Sequence, residues 1–71
     1  MSNKQFYQEK SAYLTALIAY LTTAQRVCET LDRHEKSAPG GPDPDYIAIK
    51  EMLKDTITAA EGLRNSIDEL A

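Results

Sequence analysis

Ser37-Ala38-Pro39-Gly40-Gly41-Pro42-Asp43-Pro44 decides the fold of this 71-residue chain. Three prolines and two glycines within eight residues cannot continue a helix. Proline lacks the amide donor, and glycine loses the most backbone freedom on ordering. The rest of the sequence has no proline, and Gly62 is its only other glycine. The chain therefore reads as helix, loop, helix, with helices over about 3–36 and 44–70 and a loop at 37–43. No stretch sustains the period-two alternation of a strand. The expectation is an all-α single domain over 1–71, an antiparallel two-helix hairpin with coiled-coil-like packing, since a short connection between long helices favours antiparallel neighbours.

The helix ends carry their own signals. Ser2-Asn3-Lys4-Gln5 matches a capping box, in which a serine oxygen and a glutamine side chain satisfy free backbone donors. Arg33, His34 and Lys36 sit where the first helix presents its negative end, and Glu29–Arg33 and Asp32–Lys36 are i,i+4 pairs. On the other side of the loop Asp43 can cap, Pro44 suits the first helical position, and Asp45 complements the positive end of the dipole.

Apolar spacing supplies a seam for each helix. Leu14, Leu17, Leu21, Ala24, Cys28 and Leu31 alternate steps of three and four in the first. Tyr46, Ile49, Leu53, Thr56, Ala60, Leu63, Ile67 and Leu70 do so in the second. The first helix holds apolar residues beyond that stripe. Phe6, Tyr13, Tyr20 and Val27 recur every seven residues beside it, and Ile18 lies on its other flank. Residues 11–25 contain no charge, and Ala12, Ala16, Ala19 and Thr23 occupy the side opposite the seam. A helix apolar nearly all round is normally buried nearly all round, and one partner helix covers one side. Alanine is a good helix former and accounts for the small residues; the aromatic and branched ones point to a protein-binding face. The second helix repeats the pattern more mildly, with Met52, Ile57 and Ala59 widening its seam and a small-residue row at Ala59, Gly62 and Ser66.

Composition excludes several classes of function. The net charge is −3. Residues 1–36 carry five Lys/Arg against four Asp/Glu, and residues 37–71 three against seven, so no basic stripe exists for nucleic acid or an anionic membrane. The most apolar run, Ala12 to Leu21, is too short to span a bilayer, which takes ~20 apolar residues. A single cysteine forms no internal disulfide and no zinc cluster. With no visible secretory signal, the chain reads as soluble and cytoplasmic. His34, the only histidine, sits at a charged helix end without a nucleophile in register, and a dipole contact explains it. Asp43 and Asp45 lack the glycine and glutamate of a calcium loop. Gly40-Gly41 follows no strand and makes no phosphate cradle. No enzyme, cofactor or metal is expected.

Asp43-Pro44-Asp45-Tyr46, followed by Leu53, Ile57, Ala60-Glu61 and Ile67, resembles the second helix of the small E-type co-chaperones of bacterial type III secretion. That resemblance spans about 25–30 residues and implies a helical hairpin of similar length. It also implies a role: pairing with a larger helical-repeat chaperone to keep the secretion needle subunit unpolymerised. Carried over, it nominates Tyr46, Leu53, Ile57, Ala60 and Ile67 for packing or partner contact. The chain's own pattern adds Phe6, Tyr13, Ile18, Tyr20 and Val27 as protein-binding residues. The partner is then another protein, a helical chaperone or needle subunit, or a second copy of the chain. The alternatives are a self-assembling needle-like subunit, from which Asp68-Glu69-Leu70-Ala71 departs, and a generic helical adaptor.

Overall fold

A computed structural model of the chain describes residues 3–70, and among these there are two helices and no strand. Helix α1 runs Asn3–Glu35 and helix α2 runs Pro44–Leu70. They lie side by side in a rod of 56 × 15 × 15 Å. Its radius of gyration is 16.4 Å, against about 11 Å for a compact domain of this length. Ser2, and with it the capping box, lies outside the described residues.

The loop geometry follows from its residues. The last turn of α1 tightens, with Ser37 N donating to His34 O and Ala38 N to Glu35 O, at 3.1 and 3.0 Å. Gly41 N then donates to Ala38 O at 3.1 Å, closing a turn with Pro39 and Gly40 at its centre. Gly40 has φ +84. Proline followed by a residue of positive φ is the pattern of a type II turn, which is why glycine stands there. Asp43 caps α2: its Oδ1 accepts from Asp45 N at 2.8 Å, and its carbonyl accepts from Ile47 N at 3.1 Å. Asp43 N donates to Glu35 Oε2 at 2.9 Å, tying the start of α2 to the end of α1. The Asp32–Lys36 pair forms at 3.5 Å, whereas Arg33 donates to Thr30 Oγ1 rather than reaching Glu29.

Register is set at both ends. Near the chain ends Ser11 Oγ donates to Asp68 Oδ1 at 2.5 Å. Near the loop the Tyr46 hydroxyl lies 2.9 Å from the Cys28 carbonyl and 3.1 Å from Asp32 Oδ1. Counting from these anchors, Leu21 stands level with Ile57 and Ile18 with Ala60.

The seam is rotated from the one that apolar spacing selects. In α2 the buried residues are Tyr46, Ile57, Ala60 and Ile67, the last only 3 % exposed, with Leu53 and Arg64 half-buried. Thr56 and Leu63 are exposed, as is Ile49. In α1 the sheltered line is Ser11, Leu14, Ile18, Leu21, Gln25, Cys28 and Asp32, while Leu17 and Leu31 stay exposed. Ile18 therefore lies half-buried in the seam of the hairpin and not on its flank. The rotated seam also accommodates its polar members at the edge. Asp32 Oδ1 meets Lys50 Nζ at 3.1 Å as well as the Tyr46 hydroxyl. Seating Ile57 opposite Leu21 turns Asp32 and Lys50 toward each other, and the half-sheltered ion pair with its tyrosine satisfies both charges.

Candidate functional site

Rotation of the seam leaves a second apolar stripe in the open on each helix. On α1 it consists of Phe6, Tyr13, Leu17, Tyr20, Val27 and Leu31, with Ala24 half-buried among them. On α2 it consists of Ile49, Met52, Thr56, Ala59, Leu63, Ser66 and Leu70. From Tyr13 on α1 and throughout α2 each again steps by three and four, and the members Tyr13 to Leu31 and Ile49 to Ser66 each precede a seam residue by one position. One residue back is a turn of about 100°. Because the helices are antiparallel, the same backward turn carries both stripes to the same side of the hairpin. The residues one position after the seam go to the other side, and there Glu29 of α1 and Lys54 of α2 line a common cleft.

The two sides differ in chemistry. The first is aromatic and aliphatic, with Tyr13 and Tyr20 left 75 % and 77 % exposed. Leu17, Leu31, Ile49 and Leu63 floor the groove between the helices, and Tyr13, Tyr20 and Val27 form a ridge along α1. Val27, Thr30, Leu31 and His34 enclose its open apolar end near the loop. At the other end Lys10 Nζ sits 5.9 Å from the Phe6 ring centroid, and Phe6 meets Tyr7 edge-on at 5.5 Å. The second side carries Glu51, Lys54, Glu61 and Asp68 on α2 and Glu29 near the loop on α1, with the small and uncharged Ala12, Thr15 and Ala19 farther along α1 and Ile47 an exposed apolar residue near the loop.

The cleft on the charged side is about 250 Å³, lined by Gln25, Cys28, Glu29, Asp32, Lys50, Glu51, Leu53 and Lys54. That is smaller than the usual range for ligand pockets, ~300–1,000 Å³. The Lys50 ammonium, then the Tyr46 hydroxyl, hold the Asp32 carboxyl below the usual carboxylate range. Burial and then the Asp32 carboxylate push the Tyr46 phenol up, and the same carboxylate raises Lys50. These shifts belong to a clasp joining the helices near the loop. Among the described residues no group of three His, Cys, Asp or Glu side chains could hold a metal ion, and no helix is long and apolar enough to cross a membrane.

The ten residues singled out from sequence thus divide. Phe6, Tyr13, Tyr20 and Val27 come together on the exposed apolar side. Tyr46, Ile57, Ala60 and Ile67 are buried between the helices, with Leu53 and Ile18 half-buried beside them. Tyr46, Ile57, Ala60 and Ile67 pack the closed hairpin, and Leu53 and Ile18 are partly sheltered at its seam. Leu17, Leu31, Ile49, Met52 and Leu63 join the apolar side instead. The signal that would have exposed them is the pair Asp32 and Lys50, opposite charges at similar distances on either side of the loop. Comparison with protein-family models, with curated proteins and with solved structures gives no match.

Proposed function

We propose that this chain is a protein-binding module that works through the apolar side of its hairpin. A single observation carries the reading: one side of the rod exposes large apolar side chains from both helices, while the other carries small and polar residues on α1 and mostly charged ones on α2. A patch of this kind on a small monomer marks an interface, and exposed tyrosines on a helix suit one, since they bring large contact area for few rotatable bonds.

The resemblance to the E-type co-chaperones gives this reading a specific form: pairing with a helical-repeat chaperone that guards a secretion needle subunit. Its support is the capped start of α2 and the stripe Tyr46, Leu53, Ile57, Ala60 and Ile67. Those are the residues that close the hairpin, so the likeness speaks to the scaffold more than to the partner. Binding to such a partner would also stabilise a thin hairpin by mass action.

Affinity capture from the native cell tests both levels, using wild type, Tyr20→Lys on the apolar side and Glu61→Lys on the charged side. A partner held by wild type and Glu61→Lys but lost by Tyr20→Lys supports the binding face. A helical-repeat chaperone with a needle-like subunit supports the specific form. A partner lost only with Glu61→Lys contradicts the face.

A further inference from the structure

We infer that the apolar side pairs with a second copy of the chain, in a four-helix bundle where α1 of each copy packs against α2 of the other. The inference rests on the protein-binding reading and names the occupant of that same face.

Area is the first argument. The hairpin exposes 5403 Å². A compact monomer of 7.9 kDa exposes about 4,400 Å². The excess is about 1,000 Å², close to the ~800 Å² that each partner contributes to a stable interface of standard size. One more hairpin of the same length covers it.

Shape then selects the copy. Ser11–Asp68 and Asp32–Tyr46 fix which residues of α1 and α2 stand level. Counted from Ser11–Asp68, Tyr20 is level with Ala59, Tyr13 with Ser66, and Val27 with Met52. So α1 carries its bulk at the two heights where α2 carries its smallest side chains, with Gly62 between them on the outer flank. A two-fold axis along the rod preserves height and sets α1 of one copy beside α2 of the other. Each copy then places its tyrosine ridge over its partner's small row, and the fit occurs twice, as an isologous interface requires. The other two-fold arrangement sets α1 against α1, tyrosine ridge on tyrosine ridge, and α2 against α2, small row on small row.

Interior positions of each helix then match a bundle, with three to four apolar positions per two turns instead of one narrow seam.

Sedimentation equilibrium of the full chain, from nanomolar to millimolar concentration, tests the pairing. The expected result is a monomer–dimer equilibrium without higher polymers. Ala59→Leu should weaken it about a hundredfold, because each dimer contains the overpacked contact with Tyr20 twice, with helicity retained. Mixed labelled and unlabelled chains should show nuclear Overhauser contacts between copies from the Tyr20 ring to the Ala59 methyl. Contacts from Tyr20 to Tyr20 overturn the arrangement. A monomer at all concentrations whose apolar side is covered by a different captured protein overturns self-pairing and leaves the binding reading intact. A monomer with no protein on that side overturns both.

Discussion

Two isoleucines of the same helix separate the seam observed from the seam that apolar spacing selects. Ile57 is 8 % exposed and Ile49 is 58 % exposed. Ile57→Ala removes a side chain seated opposite Leu21 and leaves a cavity. Such truncations cost ~2–5 kcal/mol in domain cores, and a thin hairpin can collapse around the gap, so about 2–3 kcal/mol is expected. Ile49→Ala removes a side chain with less than half its surface sheltered. The loss is about 1 kcal/mol of burial, partly offset by the better helix propensity of alanine. The difference, about 1.5–2 kcal/mol, amounts to about 1.5–2 M in the urea midpoint for a slope of ~1 kcal/mol/M. The assay is urea unfolding followed by circular dichroism at 222 nm, at a dilution where sedimentation reads a monomer. A single hydrophobic core this small rarely supplies more than ~3–5 kcal/mol, so Ile57→Ala should be partly unfolded before urea is added. Equal shifts, or a larger one for Ile49→Ala, would refute the seam.

Alanine at two glycines should act with opposite sign in the monomer. Gly40→Ala forces an L side chain to φ +84 and should destabilise by ~1 kcal/mol, whereas Gly62→Ala, with open space around it, should stabilise by up to ~1 kcal/mol; urea midpoints check both. Stability should fall at both extremes of pH through the clasp near the loop. Asp32 has a lowered pKa in the fold, so its contribution is present above the ordinary carboxylate value and is lost as pH falls through the lower folded value. Tyr46 and Lys50 are raised, so theirs is present below the ordinary values near 10.0 and 10.5 and is lost as pH climbs through the folded ones. Asp32→Asn should remove the acid step attributable to this residue in unfolding measured against pH, and an unchanged acid limb counts against the clasp. Tyr46→Phe keeps the buried ring but loses the hydroxyl contacts to Cys28 and Asp32, and should lower the urea midpoint by less than half the shift of Ile57→Ala.

The boundaries of both helices are legible because proline, glycine and an aspartate cap act locally. The loop reads 37–43, and the helices observed are Asn3–Glu35 and Pro44–Leu70. The rotation of each helix is a different matter. Two three-four series share Leu14, Leu21 and Cys28 on α1, and Tyr46, Leu53, Ala60 and Ile67 on α2. They differ where one offers Leu17, Leu31, Ile49 and Leu63 and the other offers Ile18, Asp32, Lys50 and Ile57. Ranked by hydropathy the first series wins. Between two helices the second is the one observed: Ile57 is buried and Ile18 half-buried in the seam, and Asp32 and Lys50 meet each other and Tyr46 at its edge, a pairing no single-helix pattern contains. The candidate site inherits this error in part: Phe6, Tyr13, Tyr20 and Val27 are readable as surplus on any choice of seam, while Leu17 and Leu63 become part of the face only once the seam is known.

Side-chain footprinting by hydroxyl radicals, on the chain alone at high dilution and then with its captured partner or at self-associating concentration, bears most directly on the binding face. At dilution Tyr13, Tyr20 and Met52 should be oxidised readily and Tyr46 slowly. On association protection should fall on Tyr13, Leu17, Tyr20, Met52 and Leu63, and spare Glu29, Lys54 and Glu61. Protection of the charged side with the tyrosines still reactive, or tyrosines already shielded in the dilute monomer, would contradict the account.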